Sequence, residues 1–455
     1  MNAERENAQY IKMTETPVAG LVVRLGIPTT ISMLVTSIYN MADTAFVGRL
    51  GTSASGAIGV VFGYMAILQA IGFMFGQGSG SQIARLLGQR DRESASRIAS
   101  TGFLTAVGLG VLVALGSSLF LDKLLRFLGS SETILPYARS YCGFILLGAP
   151  FITGSFVLNN ILRYEGLAMK AMVGLVTGAV LNLLFDPLLI FVFHMGTAGA
   201  GLATAISQIV SFCILLSMFR GGVTQSRLSF RDYTHDFRDV LRIVAVGFPS
   251  LLRQAMSSIG TIILNRCART YGDAAVAAMA IVSRISMFIF SVGLGLGQGY
   301  QPVCSFNYGA RKFGRVRAAF RATLRITMIV LVFFSLTVYF CAPWLVRFFR
   351  DDPEVVAIGV QALRYACFVM CLLPISVLTN MTLQSSGKAL PASFLALLRS
   401  GLFFLPVLLI LNRSCGVVGI EVAQPIADIL TTAASIPFIL YYFRHLPPET
   451  ELPNG

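Results

Sequence analysis

A chain of 455 residues that is 55% hydrophobic and only 12% charged has about half the charge density of a soluble protein, so a string of soluble domains is excluded. Its net charge of +14 does not point to nucleic acid, because no basic soluble domain exists to carry such binding. The Lys and Arg lie instead in short connections between apolar segments, as in a polytopic membrane protein.

The first 16 residues, with Glu4, Arg5, Glu6 and Lys12, lack the apolar core of a cleaved leader. Beyond them come apolar segments long enough to cross a bilayer, where the backbone must satisfy its own hydrogen bonds and therefore coils into helix. Twelve spans are expected, near 24–47, 55–78, 98–120, 135–162, 171–193, 198–219, 241–266, 274–303, 319–342, 356–383, 390–411 and 416–443. Helix 1 carries Pro28, Tyr39 and Asp43; helix 5 carries Asn182, Asp186 and Pro187; helix 6 carries Thr204. The longest polar connection, 221–239, then divides an N-terminal lobe (1–220) from a C-terminal lobe (240–455). Basic residues crowd the connections on one side, which predicts both termini in the cytoplasm of a cell (inner) membrane.

The two lobes repeat each other. Shifted by 221 residues, Gly26, Pro28, Gly51, Gly76-Gln77-Gly78, Gly88 and Arg90 fall on Gly247, Pro249, Gly272, Gly297-Gln298-Gly299, Gly309 and Arg311. An even number of spans per repeat predicts parallel repeats, related by a pseudo-two-fold axis along the membrane normal. The expected fold is thus an all-α integral membrane protein of 12 transmembrane helices in two six-helix bundles. The glycines of Gly76-Gln77-Gly78-Ser79-Gly80 lack the Lys-Ser/Thr ending of a phosphate loop and suit close helix packing.

Ionisable residues inside spans cost about 2.5–3.5 kcal/mol on insertion scales and call for a reason. Counting along their helices puts Asp43 and Asp186 both about 25 Å from the inner face, with Thr204 at similar height. Tyr39 with Asp43 and Asn182 with Asp186 are spaced i,i+4 and share faces. Pro187 frees the carbonyl of Leu183. Such oxygen groups suit a proton or a hard cation such as Na⁺, and desolvation and a like charge both favour a carboxyl group's protonated form. In the second lobe the buried charges are Arg253, Arg284 and Asp428. Arg253 and Asp428 both lie near mid-membrane, so a structural or gating ion pair is expected. Met256, Met279, Met287, Phe288 and Met381 would offer a soft apolar surface to organic cations if they face a cleft. Eight Cys lie singly apart from Cys367 and Cys371, one helical turn apart. His194, His235 and His445 stand apart from any Cys or carboxylate cluster, so no zinc site or interfacial transferase centre is indicated and no cofactor is expected.

The doubled pattern, Pro28, Asp43 with Val47-Gly48, the Gly-Gln-Gly stretch and Asn182-x-x-x-Asp186-Pro187 resemble the multidrug and toxic compound extrusion (MATE) family over about residues 20–443. The resemblance implies a non-enzymatic secondary antiporter, a monomer in the lipid bilayer. It would export amphipathic, often cationic, small molecules in exchange for inward H⁺ or Na⁺, by alternating access. It further implies a cation site at Tyr39, Asp43, Asn182, Asp186 and Thr204, and a coupling bend at Pro28. Helix 7 carries Arg253 and Arg266 and helix 10 carries Thr379 and Asn380, where another branch has acidic residues. That is similar to the branch typified by MepA- and DinF-like transporters. A lipid or lipid-linked oligosaccharide flippase is the alternative that the same architecture could serve.

Overall fold

The computed structural model describes residues 2–234 and 236–448, with the side chains of residues 2–6 and 52 excepted, so His235 lies outside the described residues. A short N-terminal helix, α1 (Asn2–Glu15), precedes α2 (Val18–Gly48), α3 (Thr52–Gly88), α4 (Arg92–Leu119), α5 (Leu121–Phe127), α6 (Leu135–Tyr164), α7 (Ala168–Pro187) and α8 (Gly196–Arg220). After the polar connection come α9 (Phe237–Arg269), α10 (Asp273–Gly309), α11 (Phe313–Phe349), α12 (Pro353–Met370), α13 (Leu373–Ser385), α14 (Ala389–Leu397), α15 (Phe404–Cys415) and α16 (Val417–Arg444). Two π-helical segments, Leu188–Val192 and Leu398–Phe403, extend α7 and join α14 to α15.

All twelve expected spans are helical. Among the described residues, 11 helices are long and apolar enough to cross a membrane. The span outside that set is α9, whose Arg238, Asp239, Arg242, Arg253, Arg266 and Arg269 dilute its apolar character. The expected tenth span is broken into α12 and α13, whose second residue is Pro374; a proline is well suited to a first helical turn and poorly to a helix interior.

The chain folds as two compact units. The first comprises Met1–Tyr10 and Ile31–Gly247; the second comprises Ile11–Thr30 and Phe248–Gly455. Helix α2 therefore begins in one unit and ends in the other, and so does α9. Both changes fall beside the repeated prolines, Pro28 and Pro249. Glycines make the close packing at the N-terminal parts of α2 and α9 possible. In the first unit a Cβ built at Gly247 of α9 would lie 1.8 Å from the carbonyl oxygen of Met74 on α3. In the second unit a Cβ at Gly299 of α10 would lie 2.4 Å from the Cα of Gly26 on α2. By the 221-residue offset Gly26 is the counterpart of Gly247, so the same close crossing is built once in each unit.

The repeat's outlying matches have backbone causes as well. Gly51 and Gly272 precede α3 and α10 with φ of 121° and 95°, a region that side chains disfavour. Arg90 and Arg311 close the same helices in the left-handed region, at φ 62° and 59°. The next amides donate back to Leu86 and Asn307 at 2.9 Å each, which is a Schellman ending.

The connection after α8 is not loose. Glu165, buried between α6 and α7, accepts from the amides of Gln225 (2.7 Å) and Ser226 (3.0 Å) and from the Ser226 hydroxyl. Further on, Arg227 N donates to Ser96 Oγ, Ser229 N to Ser100 Oγ, and Thr234 N to Thr101 Oγ1 on α4. Burial pushes the Glu165 carboxyl above the usual carboxylate range, against the opposing pull of these bonds and of Arg92. The amides of this extended segment thus find acceptors on the first unit, as buried backbone groups must.

Candidate functional site

The first unit gathers the residues expected to hold a cation near one end of its helices. Asp43 on α2 is 2% exposed and Asp186 on α7 is 1% exposed. Burial against protein, rather than lipid, is what distinguishes a working intramembrane carboxylate from a misplaced one. Tyr141 of α6 donates its hydroxyl to Asp43 Oδ2 at 3.0 Å. Asn182 Nδ2 donates to Asp186 Oδ2 at 2.5 Å across one turn of α7. The second oxygen of each carboxylate, Oδ1, is sealed from solvent and finds no hydrogen-bond partner among the described residues. Tyr39 and Tyr141 lie within electrostatic reach of both carboxylates, and Asp43 acts on Asp186. Thr204 of α8 is within hydrogen-bonding reach of Tyr141.

Local sequence explains the convergence. The start of α8 is rich in small residues, and a Cβ at Gly201 would stand 2.5 Å from the carbonyl oxygen of Tyr141. A Cβ at Gly199 would stand 2.8 Å from Leu189 in the π segment. These bare positions let α6 and the end of α7 close on α8, carrying Tyr141 and Asp186 inward. Pro187, which has no N–H to offer Leu183, ends α7 and opens the wider π turn, a common consequence of a missing helical bond. Pro28 differs, since α2 runs unbroken through it. There Thr29 Oγ1 donates to Leu25 O at 2.9 Å.

Tyr39, Asp43, Asn182, Asp186 and Thr204 are thus brought together. Tyr141 belongs with them, though it is not among the residues expected from the sequence. Its signal is depth: Tyr141 lies six residues in from the start of α6, and Asp43 lies five residues in from the end of α2. Among the described residues no Lys or Arg is ion-paired with either carboxylate. Two sealed carboxylates with two vacant oxygens fit a proton or a small hard cation, because an uncompensated charge in such surroundings is costly.

The second unit departs from expectation. Asp428 does not pair with Arg253. Its partner is Arg399, whose Nε donates to Asp428 Oδ1 at 2.8 Å, while Gln424 Nε2 donates to the same oxygen at 2.9 Å. Arg253 turns to Asn380 instead, at 3.4 Å from Oδ1, and Arg284 is exposed. Arg399, within the π segment Leu398–Phe403, was not among the charges expected there, and its guanidinium also lies 4.5 Å from the Phe290 ring centroid. The apolar residues differ in burial. Met279 and Met381 are buried at 4% and 0%, Met287 and Phe288 are exposed at 66% and 40%, and Met256 is half-buried.

An all-α protein that crosses the membrane this often, with carboxylates sealed inside its helices, has the build of a polytopic membrane transporter rather than an enzyme. The family model MatE matches residues 28–188 and 249–410, and the chain belongs to this family of multidrug efflux transporters. It is 28% identical to the multidrug export protein MepA of Staphylococcus aureus (strain MSSA476), over 96% of this chain and 97% of that one. Among solved structures, MATE in complex with MaL6 superposes with a TM-score of 0.91 at 27% identity, covering 96% of this chain and 98% of that one. An outward-facing multidrug resistance MATE family transporter of the MOP superfamily gives 0.91 at 26% identity, with the same coverage.

Proposed function

We propose that this chain is a secondary antiporter of a cell (inner) membrane, with both termini cytoplasmic, that exports amphipathic or cationic organic compounds against an inward flow of H⁺ or Na⁺. The observation that carries the reading is the pair of buried carboxylates, Asp43 and Asp186, each with one oxygen lacking a partner among the described residues. A cation bound there neutralises the pair and stabilises one conformation, and the organic substrate stabilises the other. Exchange requires that difference, because a ligand shifts an equilibrium only by its differential affinity for the two states. Tyr39, Tyr141, Asn182 and Thr204 hold the carboxylates in place.

Pro28 and Pro187 are the hinges of this reading. The change of unit in α2 falls one turn after Pro28, where a helix lacking one backbone bond bends most easily. Met256, Met287 and Phe288 are the accessible members of the apolar lining. Met279 and Met381 support it from the core. The working unit is the monomer.

The test is dye efflux from proteoliposomes under an imposed pH or Na⁺ gradient. Wild type is expected to export dye only with a gradient, and Asp43→Asn is expected to insert normally yet fall to the protein-free background. Gradient-driven export that survives Asp43→Asn would sink the assignment.

A further inference from the structure

A second buried carboxyl group lies outside the site above. Helix α16 is apolar enough to span, with a mean hydropathy of 1.5, yet Glu421, Gln424, Asp428, Thr431 and Ser435 recur along it at helical spacing and form one polar stripe. The stripe faces protein: Glu421 is 5% exposed, Asp428 6%, Thr431 2% and Ser435 0%. Its two hydroxyls are spent on their own helix, Thr431 donating to Ala427 O and Ser435 to Thr431 O, each at 2.7 Å. Asp428 is balanced by Arg399. Glu421 is not balanced. Its Oε2 is sealed from solvent and finds no hydrogen-bond partner among the described residues.

The charges that could compensate it lie elsewhere. Among the elements packed against α16, α12 contributes Arg364, which lies over the Tyr339 ring, and Cys367, a core residue. Arg413 of α15 is exposed, and Arg399 is engaged with Asp428. One guanidinium therefore serves two buried carboxyl groups. Leaving the second as a bare anion would cost several kcal/mol. Na⁺ would need a shell of oxygen ligands, which the spent hydroxyls and the engaged Gln424 do not offer. A proton needs only the carboxyl oxygen itself.

We propose that Glu421 is a proton-binding site of the second unit, set about 6 Å from the start of α16 and two helical turns along the same stripe from the Asp428–Arg399 pair. Protonation neutralises the one buried carboxyl group of the unit that, among the described residues, has no ion-pair partner. Release of that proton requires a rearrangement that wets Glu421 or brings it a cation. This site stands on its own residues and does not rest on the role assigned to Asp43 and Asp186.

The probe is dicyclohexylcarbodiimide, which modifies protonated carboxyl groups in apolar surroundings, applied to the purified full chain and mapped by peptide mass spectrometry. Glu421 is expected to be labelled near pH 6, with labelling reduced at least about tenfold near pH 9 as the protonated fraction falls, and unaffected by added Na⁺. As a second reading, Glu421→Gln, which mimics the protonated form, should melt at the same temperature as wild type near pH 5 and above it near pH 9. Absence of label together with parallel melting profiles overturns the proposal. So does labelling that is suppressed by Na⁺ at constant pH, which makes the group a Na⁺ ligand instead.

Discussion

The two units answer the same problem, acidic side chains buried among spanning helices, in opposite ways. In the first, Asp43 and Asp186 receive only neutral donors, Tyr141 and Asn182, and no Lys or Arg among the described residues pairs with them. In the second, Asp428 carries its cation with it in Arg399, and Gln424 fixes the geometry. A built-in guanidinium cannot leave, so a pair of this kind neutralises without coupling. The difference between Asp43 with Asp186 and Asp428 lies in whether the balancing positive charge is covalently part of the chain.

The sharpest way to break the comparison is to neutralise each side. Asp43→Asn and Asp186→Asn are each expected to abolish gradient-driven dye efflux while leaving the protein folded in the membrane, checked by transport beside size-exclusion profiles. Next in size comes the second unit. Arg399→Ala leaves a buried carboxylate alone and should destabilise by about 3–5 kcal/mol, read as a lower melting temperature in detergent. Adding Asp428→Asn to it should recover much of that loss, whereas no recovery would show that Arg399 acts by packing on Phe290 rather than by charge. A smaller effect is expected for Tyr141→Phe, which removes one hydrogen bond to a charged acceptor worth about 1.5–3 kcal/mol. Half-maximal H⁺ concentration for transport should fall by roughly tenfold or more, because the unprotonated carboxylate loses the donor that stabilised it, with maximal rate largely kept. The smallest effect belongs to Glu165→Ala. It frees the segment around Ser226 at a local cost of about 1–3 kcal/mol, so trypsin should cut at Arg227 and Arg231 faster than in wild type while transport persists.

Much of this was legible in the sequence because the membrane simplifies the code. Long uncharged windows become helices, and a carboxylate inside one stands out, so Asp43 and Asp186 could be placed by counting turns. Tyr141 could not be told from other tyrosines in spans, since a phenol is cheap at many depths. Arg399 was not among the expected charges, because nothing in the sequence tells which way a lone arginine in a span turns, and only the fold shows it against Asp428. Glu421 lies close enough to a helix end to read as interfacial, and only its burial shows otherwise. The repeated glycines announced close packing, but their partners were hidden. That Gly247 meets Met74 and Gly26 meets Gly299 depends on the N-terminal parts of α9 and α2 joining units that their sequence neighbours do not. No local pattern encodes that exchange.

The central claim, that Asp43 and Asp186 share an exchangeable cation, is tested most directly by measuring cation release when substrate binds. Purified protein in weakly buffered detergent solution would be titrated with an organic cation while a pH-sensitive dye, or radiolabelled sodium, reports what leaves. The account predicts release from wild type and none from Asp43→Asn/Asp186→Asn. Equal release from both proteins, with substrate still bound by each, would contradict it.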